Sequence, residues 1–361
     1  MINHKKLLIM IPLVIAGCNS GSKNNSNSSL NPPIQELVWK VIDIPKNEYK
    51  MNWPDVTQIT GFASLPYYSG LRGYNGIGTV AFNEEINLWG SITETPRFIS
   101  IDKMVQGYIY TVVTAKELTN NLWIRPNGFP WVDITPDNSK SQKISTVYVD
   151  DNGHIYTTTE NNIIYHCIYN MTYEQNNCDD ITSNYSNSIK NSIKNITVNT
   201  NNNTIYMVTD TEVWQTKLDN VYWVKMNNSP KGGLKIIHDK FDNLFLATNS
   251  SNGGFYFDGQ VWNNLQFGES QNSITIFYDE KAGEKVIFGN ASDHVNVFSP
   301  QTNKKSQIIS TMTFPEYSFI RTCNSGIFNV TSTPYYVYGL TTCNNGRNYI
   351  LQLNPDILAK S

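Results

Sequence analysis

Charge is scarce in this chain. Asp, Glu, Lys and Arg make up 16% of its 361 residues, against about 25% in ordinary globular proteins. That shortage excludes a charge-rich disordered chain and a long coiled coil. Neither sign dominates, with 27 Lys+Arg against 30 Asp+Glu, so the basic field of a nucleic-acid binder is missing. The apolar run Leu7–Ala16 falls short of the about 20 residues that a membrane-spanning helix takes. There are five cysteines and no C-x-x-C, which removes the close thiolate pairs of zinc and redox motifs. H-E-x-x-H, G-x-S-x-G, the P-loop and G-x-G-x-x-G are absent as well, and with them any local signature of a metal or cofactor. What is abundant is neutral or flat: 12% aromatic residues, including 21 Tyr and 8 Trp, and an Asn-, Ser- and Thr-rich remainder. Hydrophobic residues at 40% suffice for a sizeable core.

The N-terminus has the layout of an export signal. Lys5 and Lys6 precede the apolar run, and small residues follow it. Ile15-Ala16-Gly17-Cys18 resembles the lipobox of bacterial lipoproteins. The resemblance implies cleavage after residue 17, lipid on the Cys18 thiol and an acylated new N-terminus. Two or more acyl chains anchor stably where one binds reversibly. Asn19 follows, not the Asp that the family links to inner-membrane retention, so the expected location is the outer membrane. Cleavage removes two lysines and no acid and leaves a formal charge of −5. Anionic head groups repel such a body, so membrane contact falls to the lipid. Residues 18–35 are Asn-, Ser- and Gly-rich and end in Asn31-Pro32-Pro33. They contain too little apolar surface to offset ordering and read as a flexible tether.

With Cys18 assigned to lipid, Cys167, Cys178, Cys323 and Cys343 remain. An even number in an exported chain suggests two disulfides, and three pairings exist. Proximity in sequence favours Cys167–Cys178 and Cys323–Cys343. The first pair flanks Met171-Thr172-Tyr173-Glu174 symmetrically, and the second flanks Ser332-Thr333-Pro334. Both suit hairpins, where opposed residues come within bridging distance.

From Glu36 onward helical periodicity is scarce and a repeat takes over. An aliphatic run ends in Asp or Asn, a polar turn follows, and then comes a β-branched or aromatic run. Copies are anchored at Asp102, Asp150, Asn199, Asp239 and Asp279, 40 to 49 residues apart. Later in each unit a tight turn precedes a Trp by three residues: Asn127-Gly128 before Trp131, Asp219-Asn220 before Trp223, Asp258-Gly259 before Trp262. Asn-Gly and Asp-Gly suit the positive φ of hairpin turns. Two hairpins in 40 to 49 residues are the content of one β-propeller blade. The expected fold is therefore all-β, a propeller over residues 36–358. At about 46 residues per blade it has seven four-stranded blades, with eight as the alternative count. Leu37–Ile42 and Tyr349–Leu353 are the candidate strands to close the ring. A pair of β-sandwiches is the competing all-β arrangement. The layout resembles the degenerate repeats of bacterial regulator propellers and tectonin-like proteins, a likeness that implies a fold and no activity.

Four histidines remain in the mature chain: His154, His166, His238 and His294. None has a partner at metal-helix spacing, and satisfied strand histidines are expected. Asp150-Asp151-Asn152-Gly153 offers oxygen ligands but lacks the distal Glu of an EF-hand, so turn chemistry is the expectation. The repeated Trp residues are expected to pack between blades. Tyr67, Tyr68, Tyr74, Tyr335 and Tyr336 stand outside the repeat and are the candidate ligand surface. The expected role is binding or scaffolding of another envelope protein. A glycan-binding module and an envelope hydrolase or lyase with a cross-blade site are the alternatives. Catalytic residues, a metal, a cofactor and a nucleic-acid partner are not expected.

Overall fold

Each unit of the repeat becomes one sheet. In the computed structural model, residues 38–42, 58–63, 69–74, 79–83, 88–91, 100–106, 110–116 and 120–126 are described, and from 130 to 361 all except 141, 151, 173–174, 183–191, 281–282, 310–325 and 343–347. These residues form seven four-stranded antiparallel sheets. After β1 (Trp39–Val41), blade 1 holds β2 (Gln58–Ala63), β3 (Ser69–Tyr74), β4 (Thr79–Asn83) and β5 (Leu88–Ser91). Blade 2 holds β6 (Ser100–Gln106), β7 (Tyr110–Lys116), β8 (Asn120–Pro126) and β9 (Val132–Asp133). Blade 3 holds β10 (Ile144–Val149), β11 (Ile155–Thr159), β12 (Ile164–Asn170) and β13 (Gln175–Asp180). Blade 4 holds β14 (Ile193–Asn199), β15 (Thr204–Thr209), β16 (Val213–Lys217) and β17 (Val224–Lys225). Blade 5 holds β18 (Gly233–His238), β19 (Leu244–Thr248), β20 (Gly254–Phe257) and β21 (Trp262–Asn264). Blade 6 holds β22 (Ser273–Asp279), β23 (Gly283–Gly289), β24 (His294–Ser299) and β25 (Lys304–Ile309). Blade 7 holds β26 (Ile327–Ser332), β27 (Val337–Thr342) and β28 (Asn348–Leu353), ahead of a short helix α1 (Pro355–Lys360).

The fourth strand of blade 7 is β1, which pairs with β28 through Trp39↔Leu353 and Val41↔Leu351. The two segments named as closing strands thus meet. The first strands β2, β6, β10, β14, β18, β22 and β26 touch one another in that cyclic order, with β26 returning to β2. The chain is a seven-bladed β-propeller, and its closure leaves only short sheet edges.

The core lies between blades. Ile155 packs into the blade 2–3 cluster, while its neighbour Tyr156 packs into the blade 3–4 cluster. Ile205 and Met207 face blade 3, whereas Tyr206 and Val208 face blade 5. Phe245 and Ala247 join blade 6, and Leu244 and Leu246 join blade 4. Strands β11, β15 and β19 are buried at every position. A strand covered on both faces needs apolar or β-branched side chains throughout, as in a sheet sandwiched between layers. This is why these runs lack polar alternation in the sequence.

The recurring Asp or Asn is a turn device. Asp150 Oδ1 accepts from the N–H groups of Asn152 and His154. Asp239 Oδ1 accepts in the same way from Phe241 and Asn243, and Asn199 Oδ1 from Asn201. Each closes the hairpin from first to second strand by an Asx turn. Asp150, Asn199 and Asp239 are buried. Asp102 departs from this expectation. It lies inside β6, at a register shift between Ile101 and Lys103. Five of the seven first strands carry such a bulge near their start, so the sequence copy anchored at Asp102 was out of phase by a few residues.

Candidate functional site

The ring has two rims. At the turn rim, first strands hand over to second strands; at the entry rim, the chain enters each first strand from the blade before. The Asx turns place one outward residue two positions after each anchor. In blades 3 and 4 it is Asn152 and Asn201, both exposed. In blade 5 it is Phe241, 58% exposed, and in blade 7 it is Tyr335, also 58% exposed. Thr333 takes the anchor place in blade 7, its Oγ1 accepting from the Tyr335 and Tyr336 N–H groups. Between them, Tyr278 near the end of β22 is 41% exposed.

These aromatics are tied together by Lys240. Its Nζ lies 5.1 Å from the Phe241 ring centre and 4.8 Å from that of Tyr278, a cation–π arrangement with two rings. Its backbone N–H donates to the Tyr278 hydroxyl oxygen at 3.1 Å, linking blades 5 and 6. Burial, the largest influence, helps push the Tyr278 hydroxyl up to about 12. The surface thus combines exposed aromatic rings with one cation held between two of them, and the acidic Asp242 and Glu280 are exposed beside it.

Beneath this rim sits a buried acid. Glu284 is 2% exposed, and its carboxyl lies against that of Asp239. Burial first, and the Asp239 carboxylate beside it second, push its carboxyl up to about 8. Desolvation and a like charge act in the same direction on an acid.

At the entry rim of blade 6, His294 Nε2 and Glu269 Oε1 lie 2.6 Å apart. Asn290 and Asn296 donate to Glu269 Oε1, and Ser292 donates to Oε2. His294 Nδ1 also meets Asp293 at 3.0 Å. Ser292 Oγ bonds to the carboxylate and not to the imidazole, so this is no nucleophile–base pair. The network joins the loop entering blade 6 to its β23–β24 turn. In blade 3, His154 and His166 rings lie 5.0 Å apart, and Tyr156 stacks on His166 at 4.7 Å. His166 Nε2 is buried without a hydrogen bond, which corrects the expectation of a satisfied strand histidine. Burial and then His154 hold its pKa down. His238 fits the expectation, its ring bonding to the Val198 carbonyl and to Asp239 O. Among the described residues no three His, Cys, Asp or Glu side chains are placed to hold a metal ion. Asp150 Oδ1 is occupied by its own turn.

Cys167 and Cys178 are bonded across the β12–β13 ladder, at directly opposed positions. Cys18, Cys323, Cys343, Tyr67 and Tyr68 lie outside the described residues. Tyr74 ends β3 opposite Gln58, the first residue of β2; it belongs to a strand, not a loop, and to the rim opposite Tyr335. Tyr335 and Tyr336 fall in the β26–β27 turn. Phe241, Lys240 and Tyr278 were not among the candidates. Aligning the second residue after each anchor would have exposed Phe241 and Tyr335 as one position.

No protein-family description and no curated relative matches the chain. Its fold does match solved structures. A catalytically inactive variant of virginiamycin B lyase from Staphylococcus aureus, solved with quinupristin, has a TM-score of 0.63 at 10% identity, covering 88% of this chain and 100% of that one. The extracellular domain of a hybrid two-component system from B. thetaiotaomicron gives 0.62 at 13% identity, over 90% of this chain and 42% of that one. YCF48 bound to D1 peptide gives 0.58 at 10% identity, over 89% and 97%. At such identities the likeness is one of fold.

Proposed function

We propose that this protein is a lipid-anchored envelope propeller that binds another envelope protein through its turn rim. The observation that carries the reading is the shared turn position of Phe241 and Tyr335, two large side chains exposed where blades 3 and 4 place asparagines. Large exposed aromatics concentrate at recognition surfaces. Lys240 between two rings suits a partner segment that offers apolar side chains next to an acidic one. The YCF48 structure carries a bound peptide, which supports a protein ligand for this fold class. Lipid on Cys18 and the tether of residues 18–35 would hold the body near the outer membrane.

Photocrosslinking in cells tests this. A photoreactive residue at position 241 or 335 should give the same protein adduct, and one at Val261, exposed in the β20–β21 turn at the outer edge of blade 5, should not. No adduct, an equal adduct from position 261, or an adduct to glycan alone would overturn it. For the anchor, mass spectrometry of Cys18→Ala should show loss of acylation, and an unchanged lipidated species would refute it.

A further inference from the structure

Two acids meet beneath the turn rim. Glu284, the second residue of β23, lies directly opposite Tyr278 of β22. Its carboxyl shares a hydrogen bond with that of Asp239, the anchor of the blade 5 turn. The two residues are 2% and 1% exposed. Ionised carboxylates only accept, so one of the pair must carry a proton.

The surrounding bonds decide which one. Asp239 Oδ1 accepts from the N–H groups of Phe241 and Asn243, and Oδ2 accepts from the Asn243 amide at 2.6 Å. Three donors hold Asp239 as the carboxylate, and the proton therefore resides on Glu284, which donates to it. Tyr256 on β20 faces the pair, its hydroxyl donating to Asn243 Oδ1. Tyr278 on β22 faces it as well. The cation that acts on Glu284 is Lys240 of the blade 5 turn. Lys285, next along β23, is engaged with Ser299 and Ser361, and Asp279 at the end of β22 acts on Lys285.

The turn that Asp239 shapes also presents the rim. It carries Phe241, Lys240 and the Lys240 N–H that donates to the Tyr278 hydroxyl. With the proton in place, a hydrogen bond between blades underlies this surface, and the Lys240 ammonium rests over the rings of Phe241 and Tyr278. Without it, two buried carboxylates face each other and Glu284 lacks a counter-charge. A cation–π contact at an exposed site is worth less than an unpaired buried carboxylate costs. The Lys240 ammonium then turns to Glu284. We propose that the Glu284–Asp239 pair is a proton switch for the turn rim: protonated, it leaves Lys240 between the two rings and the surface competent for its partner; deprotonated, it draws Lys240 away and disables that surface. The switch rests on the reading of this rim as the partner surface and supplies its regulation. Burial and then the Asp239 carboxylate, which push the Glu284 carboxyl up to about 8, place the change close to neutral pH.

Nuclear magnetic resonance of the full chain with 13C-labelled lysine tests the switch. Protons held over aromatic ring faces resonate upfield. The Lys240 ε-protons should be upfield at pH 7 and reach the ordinary lysine position by pH 9, with a midpoint of about 8. In Glu284→Gln, which keeps a permanent donor for Asp239, they should stay upfield throughout, with the fold followed by circular dichroism. A Lys240 signal that does not move in the native chain, or moves equally in Glu284→Gln, overturns the proposal. The first of these outcomes needs no variant. Photocrosslinking from position 335 separates the switch from the partner. The protonated fraction falls about tenfold between pH 7 and pH 9, and the adduct yield should fall as far in the native chain but not in Glu284→Gln. A yield that ignores pH while Lys240 moves overturns the control of binding. Absence of any adduct at both pH values counts against the partner reading alone, and the Lys240 titration still decides the switch.

Discussion

The indole Nε1 of Trp223 donates to the carbonyl of Ile181 at 3.0 Å, from the fourth strand region of blade 4 to the end of blade 3. Trp39 repeats the bond: its Nε1 donates to Ile309 at 3.1 Å, from the fourth strand of blade 7 to the end of blade 6. The N-terminal strand therefore brings its own copy of the recurring Trp. Closure of the ring uses the same joint that links blades inside it.

Substitutions at Trp39 should separate the bond from the packing. Trp39→Phe loses one hydrogen bond and should cost about 1 kcal/mol. Trp39→Ala also leaves a cavity in the blade 6–7 cluster and should cost about 3–5 kcal/mol. Chemical denaturation with both variants checks this. Equal losses would mean that the ring volume contributes nothing at the closure.

The Cys167–Cys178 bond closes a loop with a sequence separation of 11 residues. By chain entropy such a loop contributes about 3 kcal/mol. Reduction, or the Cys167→Ser/Cys178→Ser pair, should lower the denaturation midpoint accordingly while leaving the circular dichroism spectrum unchanged. An unchanged midpoint would show that the outer edge of blade 3 unfolds separately from the rest.

Glu284 sets a pH dependence. Unfolded, its carboxyl releases a proton near its ordinary value of 4.5; folded, it keeps it until about 8. Between those values the folded state holds more protons than the unfolded one, so stability falls as pH rises across that window. Above it this contribution is constant. Glu284→Gln, which resembles the protonated acid, should flatten that decline in a series of melting curves from pH 5 to 9. A slope identical to that of the native chain would disprove the assignment.

The fold was legible because its period is written in local chemistry. Asp150, Asn199 and Asp239 are chosen by the Asx turns they cap, and Gly259, at φ 93°, by the turn before Trp262. Those requirements act within a few residues and survive sequence drift. The closing strands were readable for the same reason, as two lone β runs left over at the ends. The rim was not legible. Phe241, Tyr278 and Lys240 come together only when β18 and β22 lie side by side, and neither strand pairing nor turn chemistry constrains them. The bulges escaped notice too, since an extra residue changes the facing of a strand without changing its composition. Asp102 sits at such a bulge inside β6 and not at a turn.

The joint between blade 7 and blade 1 makes the sharpest demand on a single residue. A Cβ on Gly61 would lie 2.0 Å from the Ser332 carbonyl oxygen, and the Gly61 N–H donates to Thr331 Oγ1 at 2.8 Å. Backbone thus meets backbone where β2 passes β26, and a methyl group cannot be relieved by a side-chain rotation. Gly61→Ala should cost at least the about 1–3 kcal/mol of an overpacked core site. Thr331→Val keeps the shape but removes the Oγ1 that accepts from the Gly61 N–H and should cost about 1 kcal/mol. Because both changes open the same contact, the double variant should lose less than the sum. Gly259→Ala meets open space and serves as the reference, costing only the strain of its positive φ. Denaturation midpoints of the four variants decide the matter: additive losses, or a Gly61→Ala no worse than Gly259→Ala, would show that blades 7 and 1 are not locked at this point.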